Sequence, residues 1–214
     1  SKEIKRGRLI YCPPNTLISS FSKKFRNCQI GIGAQNCHES KDYGAHTGFV
    51  NSRMLKNIGA HFVIIGHSEN RKIGESDKLI NLKIKSALEA KLKVIFCIGE
   101  TLSEKRKKKT KSILSKQIKY GLKNIKDKSN IFLAYEPVWA IGSGIIPKSK
   151  VLFNTVEFIK SKFKDKSPKI LYGGSVNPKN IRNLKEINNI DGYLIGGASQ
   201  NAKKFIDIVK KTYS

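Results

Sequence analysis

At residues 131–144 the chain has the sequence IFLAYEPVWAIGSG. Its apolar run predicts a buried strand that ends at Tyr135, with a single carboxylate, Glu136, directly after it. Pro137 has no backbone N–H to donate, so strand pairing stops there. The bulky apolar residues and glycines that follow are typical of a loop that closes over a ligand. This arrangement predicts a general base at Glu136, whose pKa burial would raise toward the working pH.

Strand-like runs of this kind recur along the chain and alternate with helical periodicity. The predicted strands are Leu9–Cys12, Ile30–Ala34, Phe62–Ile65, Val94–Ile98, Ile131–Tyr135, Ile170–Tyr172 and Tyr193–Ile195. The predicted apolar helix stripes are Ile80-Ile84-Ala87-Leu88, Leu114-Ile118-Leu122, Leu152-Val156-Ile159-Phe163 and Phe205-Ile206-Val209. Alternating strands and helices predict an α/β fold with a parallel sheet. No linker or change of composition interrupts the alternation, so we expect one domain over residues 1–214.

Two α/β architectures fit this pattern, a closed barrel and an open doubly wound sheet. No G-x-G-x-x-G follows the first predicted strand, which weakens a dinucleotide-binding fold. Polar and glycine-rich clusters instead follow nearly every strand, as they do in a (β/α)8 barrel, where function is collected from many strand ends. The sequence therefore favours a (β/α)8 barrel, although only seven strands are recognisable and the chain is about 35 residues shorter than a typical barrel of about 250.

The composition excludes some classes of protein. No apolar run approaches 18 residues, so we expect no membrane span. The four cysteines include no C-x-x-C pair and no metal-like spacing with histidine, which predicts reduced thiols in the cytoplasm and no metal site. The net charge of +26 would attract nucleic acid or other anions. However, the lysines are spread over every predicted helix, which favours solvated helix faces over a specific nucleic-acid surface.

Two further groups of residues suggest chemistry. His67 follows the strand Phe62–Ile65 at a predicted helix start, where a cation is disfavoured, so a neutral imidazole could donate a hydrogen bond to a carbonyl. On the residues alone, a structural histidine and a salt-bridged Glu136 remain open alternatives. Glycine turns follow the last two strands, at residues 173–174 and 196–197, and backbone N–H groups in such turns can bind a phosphate.

Taken together, these segments resemble the triosephosphate isomerase family. The matching segments occur in family order over almost the whole chain: Gly33–Asn36, Gly44–Gly48, Gly66–Arg71, Gly74–Asp77, Cys97–Glu100, Ala134–Gly144, Tyr172–Val176 and Leu194–Ser199. The resemblance implies a TIM barrel. It also implies an isomerase of glycolysis and gluconeogenesis that interconverts dihydroxyacetone phosphate and glyceraldehyde 3-phosphate without a cofactor or metal.

The resemblance also implies roles for individual residues. Glu136 would move a proton between two carbons of the substrate, and a neutral His67 would polarise the carbonyl and move protons between oxygens. Residues 137–146 would form a lid over the phosphate. The remaining implied residues are phosphate-binding Gly142, Ser175, Gly196 and Gly197, supporting Ser68, Glu69, Arg71, Ile141 and Leu194, and Thr47 on an arm (residues 44–48) that enters a second subunit of a homodimer. Cys97 and Glu100 would have structural roles near the site.

The chain also departs from the family pattern. The family begins with a strand that ends in Asn-x-Lys, and no such unit precedes Leu9 here, so we expect the first βα unit to be missing and the barrel to be incomplete. None of Lys2, Lys5, Arg6 and Arg8 is expected to replace the lysine. Two explanations remain open: this sequence lacks the start of a longer natural enzyme, or the protein is a short form whose turnover the missing lysine impairs. Asn70 replaces a usual arginine and Ser143 a usual threonine. The competing hypothesis is a catalytically impaired barrel that binds a phosphate ligand, nucleic acid or an acidic partner.

Overall fold

Seven β-strands alternate with nine α-helices in residues 8–164 and 166–213, the part of the chain that this computed structural model describes. The strands are β1 (Leu9–Tyr11), β2 (Ile30–Ala34), β3 (Phe62–Ile65), β4 (Lys93–Ile98), β5 (Ile131–Tyr135), β6 (Lys169–Tyr172) and β7 (Gly192–Tyr193). The helices are α1 (Ile18–Lys24), α2 (Ser52–Asn57), α3 (Ser68–Lys72), α4 (Asp77–Glu89), α5 (Leu102–Arg106), α6 (Thr110–Gly121), α7 (Ser149–Lys160), α8 (Ile181–Lys185) and α9 (Ala202–Tyr213). Lys2, Lys5 and Arg6, considered above for the lysine role, lie outside the described residues.

The strands belong to one sheet, in which neighbours follow the chain order from β1 to β7. β1 pairs with β2, β2 with β3, β3 with β4, and β6 with β7, all in parallel. Parallel pairs need a crossover between their strands, and the helices provide it. The residues that follow parallel neighbouring strands leave the sheet at the same edge, which is where α/β folds carry their sites.

The chain divides into two compact units. The N-terminal unit comprises Arg8–Cys97 and Lys119–Phe132, and the C-terminal unit comprises Ile98–Ile118 and the described part of Leu133–Ser214. The prediction of one domain stays a prediction. In the N-terminal unit, β3 is buried along its whole length and α4 packs its apolar stripe inward, with Ile80, Ile84 and Ala87 fully buried. In the C-terminal unit, Leu152, Val156 and Ile159 of α7 are buried in the same way.

Local sequence fixes several of the helix starts. The Asn51 side chain accepts a hydrogen bond from the Met54 N–H at the start of α2, and Ser76 does the same for Leu79 at the start of α4. α5 begins with a capping box, in which the Thr101 and Glu104 side chains each bond the other's backbone N–H. These side chains accept hydrogen bonds from backbone N–H groups that have no partner inside the first turn, and they mark where α2, α4 and α5 begin.

The structure confirms all seven predicted strands, with ends that differ by at most two residues. The largest difference is at β7, which was predicted over Tyr193–Ile195 and is Gly192–Tyr193. Two predicted helix stripes extend past their helices, since α6 ends at Gly121 before Leu122 and α7 ends at Lys160 before Phe163. A third was partly wrong in its face. Ile206 was predicted on the inner face of α9 but is about half exposed, and Ile208 is buried instead. The inner face follows the spacing 205, 208, 209, 212, and position 206 is turned about 100° away from position 205.

Candidate active site

Glu136 lies in the C-terminal unit, directly after β5, with only 2% of its surface exposed. Its backbone N–H donates to the carbonyl oxygen of Ile98 (2.8 Å), so β5 and β4 still pair at this point. Two glycines make room for it. A Cβ at Gly173 would lie 2.7 Å from Glu136 Cγ, and a Cβ at Gly99 would collide with the Glu136 carbonyl oxygen. The Gly173 backbone therefore lies against the Glu136 side chain, and the Gly99 backbone lies against the Glu136 main chain.

His67 lies in the N-terminal unit, directly after β3, and it caps the first turn of α3 as predicted. The Glu69 N–H donates to His67 Nδ1 at 3.4 Å. A ring nitrogen that accepts a hydrogen bond carries no proton, so the proton of the neutral imidazole is on Nε2. The His67 side chain can therefore donate a hydrogen bond from Nε2.

The pKa of His67 is lowered below its usual 6.5. The main cause is burial, the Lys72 ammonium adds to it, and the Glu69 carboxylate, 3.7 Å from Nδ1, opposes both. The lowered pKa supports the predicted neutral state of His67. Its main cause is burial, however, and not the position at a helix start from which the neutral state was predicted. Nearby, the Arg71 guanidinium donates to the carbonyl oxygens of Gly66 (2.8 Å) and Cys97 (3.2 Å) and pairs with Asp77 at 2.7 Å. Arg71 therefore braces the turn that carries His67.

The predicted lid, residues 137–146, begins with a 3-10 turn at Val138–Ala140 and is tied to the turn after β6. The Gly144 N–H donates to Ser175 Oγ at 3.0 Å, and the Ser175 N–H donates to the Ala140 carbonyl oxygen at 3.2 Å. Gly142 and Gly144 both have positive φ, of 68° and 74°, which favours glycine at these bends. Ile141 is half-buried and Gly142 is exposed.

The Ser175 N–H has a consequence for phosphate binding. Because it already donates to Ala140 in this conformation, a bond to a phosphate would have to be shared with that carbonyl or exchanged for it.

The turn after β7, at residues 196–197, has open space over its backbone. A Cβ at Gly196 or Gly197 would have nothing within 4 Å, so the backbone there is open to a ligand. Leu194, half-buried, precedes this turn, and its N–H donates to the Tyr172 carbonyl oxygen at 2.9 Å.

A buried carboxylate beside the lid was underestimated by the sequence analysis. Glu100, 1% exposed, accepts hydrogen bonds from the Trp139 indole Nε1–H (2.9 Å) and from the Tyr135 hydroxyl (3.2 and 3.3 Å). Burial raises the pKa of Glu100, and the bond from Trp139 is the largest opposing effect. The sequence contains one signal, a carboxylate two residues after the predicted strand Val94–Ile98, and no indication of these partners.

The predicted dimer arm, residues 44–48, lies in the N-terminal unit and is exposed. Thr47 is on it, and the large apolar side chains of Tyr43 and Phe49 beside it are also exposed. Ser68 is buried at the start of α3, and Glu69 next to it is exposed. The roles given to these residues, and the meeting of His67 with Glu136, stay predictions.

Among residues 8–164 and 166–213, no three His, Cys, Asp or Glu side chains are grouped so that they could hold a metal ion. Over the same residues, no helix has the length and apolar character needed to cross a bilayer.

Comparison with known proteins gives a consistent result. The family model for triosephosphate isomerase matches residues 1–212. The triosephosphate isomerase of Thermodesulfovibrio yellowstonii is 44% identical over 213 residues, which cover 95% of this chain and 86% of that protein. The one from Bradyrhizobium diazoefficiens is 42% identical over 212 residues, with 96% and 84% covered. The crystal structure of the Bartonella henselae enzyme superposes with a TM-score of 0.89 at 37% identity, covering 97% of this chain and 87% of that one. This likeness confirms the predicted α/β barrel class.

Proposed function

The chain belongs to the triosephosphate isomerase family, and from that premise we propose that Glu136 and His67 are the residues that carry its reaction. The family interconverts dihydroxyacetone phosphate and glyceraldehyde 3-phosphate, an isomerisation of glycolysis. The observation that carries the assignment is the Glu136 carboxylate, buried directly after β5 with the Gly173 backbone packed against its side chain. The pairing of a glutamate base with a neutral histidine is the known one for triosephosphate isomerases.

The proposed reaction begins at the carbon next to the substrate carbonyl. Glu136 removes a proton from this carbon, and the electron pair of the broken C–H bond forms the double bond of an enediolate. The same carboxyl group then returns the proton to the neighbouring carbon, so the overall change moves two hydrogens and consumes nothing. The close contact with Gly173 supports a single position for the carboxylate, and positioning of this kind supplies a large part of an enzymatic rate.

His67 is the proposed electrophile. Its Nε2–H would donate to the carbonyl oxygen, on which negative charge develops, and then exchange protons between the two oxygens of the enediol. The lowered pKa supports this role, because it keeps the ring neutral, with one proton on Nε2 that the ring gives to one oxygen and replaces from the other. Ser68 and Glu69 would support the ring, since the Glu69 N–H holds Nδ1.

The proposed phosphate site uses backbone N–H groups of Gly142, Ser175, Gly196 and Gly197. The open space over the turn at residues 196–197 and the exposed position of Gly142 support it. Ile141 and Leu194 would cover the carboxylate when the lid is closed. Excluding water would matter, because an exposed enediolate phosphate can eliminate its phosphate.

A coupled isomerase assay with Glu136→Gln tests this proposal. We expect turnover to be lost while 2-phosphoglycolate still binds, since the change removes the base and keeps its shape. Glu186→Gln, an exposed carboxylate in the same unit, is the matched control and should keep wild-type activity. If Glu136→Gln retains wild-type turnover, the assignment is wrong.

The competing hypothesis of a binding protein is not supported by the comparisons and is not proposed. We propose a homodimer, for which the exposed Tyr43 and Phe49 beside the arm are the support, with Thr47 entering the partner. Sedimentation equilibrium should give twice the chain mass of 24.0 kDa, and a monomer at micromolar concentration would contradict this. The cytoplasm is the proposed location, supported by the glycolytic role of the family.

A further inference from the structure

Trp139 is the only tryptophan of the chain, and it lies in the 3-10 turn with which the lid begins. Its edge is fixed by the Nε1–H bond to Glu100, and the Glu100 carboxylate is itself held by the Tyr135 hydroxyl. The backbone is tied at the same place, because the Val138 N–H donates to the Glu100 carbonyl oxygen at 3.0 Å. The position of the indole is therefore coupled to the position of the first lid residues.

The face of the same indole is covered by a cation. Lys105 Nζ lies 3.0 Å from the centroid of the Trp139 ring, well inside the range of about 6 Å over which a cation is attracted to an aromatic face. Lys105 is half-buried, whereas the basic residues that follow it, at positions 106–109, are exposed. One member of the basic run is thus different from the rest in its environment.

Both partners of the indole come from one short segment of chain. Glu100 directly precedes the capping residue Thr101, and Lys105 is in the last turn of the five-residue helix that Thr101 starts. The capping box with Glu104 fixes the beginning of α5 and with it the direction in which the Lys105 side chain leaves the helix. Residues 100–105 therefore hold the indole by its edge and by its face at once.

From this arrangement we propose that Lys105 is a positioning residue of the lid, which acts by holding Trp139 through a cation–π contact. The contact stabilises the arrangement in which Gly144 of the lid is bonded to Ser175. Without the ammonium, the edge bond to Glu100 remains but the ring can tilt, and the lid leaves the tied arrangement more often. The expected effect on turnover rests on the function proposed above, whereas the contact between Lys105 and Trp139 does not.

The test compares Lys105→Met, which keeps the length of the side chain and removes the charge, with Lys105→Arg, which keeps a cation. Because Trp139 is the only tryptophan, its fluorescence reports on the contact independently of activity. We expect Lys105→Met to increase acrylamide quenching of Trp139 at least twofold and to lower kcat/KM about threefold to tenfold, the change expected for a partly buried cation–π contact. Lys105→Arg should restore both values.

Lys107→Met is the matched control, since it removes an exposed charge of the same basic run. It should leave quenching, kcat/KM and Tm unchanged. Quenching of Lys105→Met equal to wild type would overturn the proposal, and so would a fall in Tm with no change in quenching, or a loss of activity that Lys105→Arg does not restore. If Glu136→Gln proves active, the proposed function fails, while the quenching result still decides whether Lys105 holds the indole.

Discussion

Substitution of Gly173 by alanine tests how firmly the fold fixes the Glu136 carboxylate. The new Cβ would lie 2.7 Å from Glu136 Cγ, 3.3 Å from Oε1 and 3.5 Å from Cδ. Carbon atoms in contact prefer about 3.5–4.0 Å, so Cγ would have to move by about 1 Å. Backbone strain is not the issue at Gly173, which does not have positive φ.

The expected effect on rate follows from this displacement. A shift of about 1 Å in a reacting group can cost on the order of 100-fold in rate, which we expect as a fall in kcat. The added methyl group also overpacks a buried slot, for which about 1–3 kcal/mol of lost stability is typical. We therefore expect most of the protein to stay folded while kcat falls, because the substitution displaces the carboxylate more than it destabilises the fold.

A coupled isomerase assay, with Tm measured in parallel, checks this expectation. Gly192→Ala is the matched control, since its Cβ would meet only the flexible end of Leu171, at 3.0 Å, and it should keep near-wild-type kcat. A kcat of Gly173→Ala within twofold of wild type, in a folded protein, would refute the reasoning: either the carboxylate tolerates displacement or Glu136 is not the base.

Three further predictions concern titration, reactivity and packing. In NMR titrations, the imidazole of His67 should titrate below its usual pKa of 6.5, with the proton of the neutral ring on Nε2. The unfolded chain takes up this proton at a higher pH than the folded chain does, so the free energy of unfolding should fall as the pH drops below 6.5. A midpoint at or above 6.5 would contradict this. A disulfide reagent should modify the exposed Cys28 rapidly and Cys37 slowly, since burial raises the Cys37 pKa to about 12, and equal rates would contradict the structure. Ile84→Ala should lower the free energy of unfolding by about 2–5 kcal/mol in urea, and Leu82→Ala, on the exposed side of α4, by well under half of that; similar losses would show that the buried face was assigned wrongly.

The strands were predictable because their signals are local. A buried parallel strand is a short apolar run, and a turn residue such as Pro137 or Gly66 ends it in the sequence itself. The error in α9 has a different origin. The three apolar residues at positions 205, 206 and 209 are compatible with more than one buried face of the helix. Packing against the rest of the chain buries the face that includes Ile208.

The network around Trp139 could not be predicted, because its partners are far apart in the chain. The basic run at residues 105–109 contains no aromatic residue, which argued for a solvated surface, and the aromatic ring comes from 34 positions later. The cause of the lowered pKa of His67 could not be predicted from the sequence for the same reason. Burial is a property of the packed chain, whereas a helix start is visible in a few neighbouring residues.

The glycines around the proposed site divide into two kinds, with different evolutionary prospects. At Gly99 and Gly173 any side chain would strike the residue that is to handle the proton, so mutational drift is blocked there. At Gly197 there is room for a side chain and φ is not positive, whereas Gly196, with φ −87° and ψ −109°, has a backbone that residues with a side chain rarely adopt. Selection for a different anionic group could therefore change Gly197 while leaving the chemical step intact, so that specificity and reactivity can diverge independently.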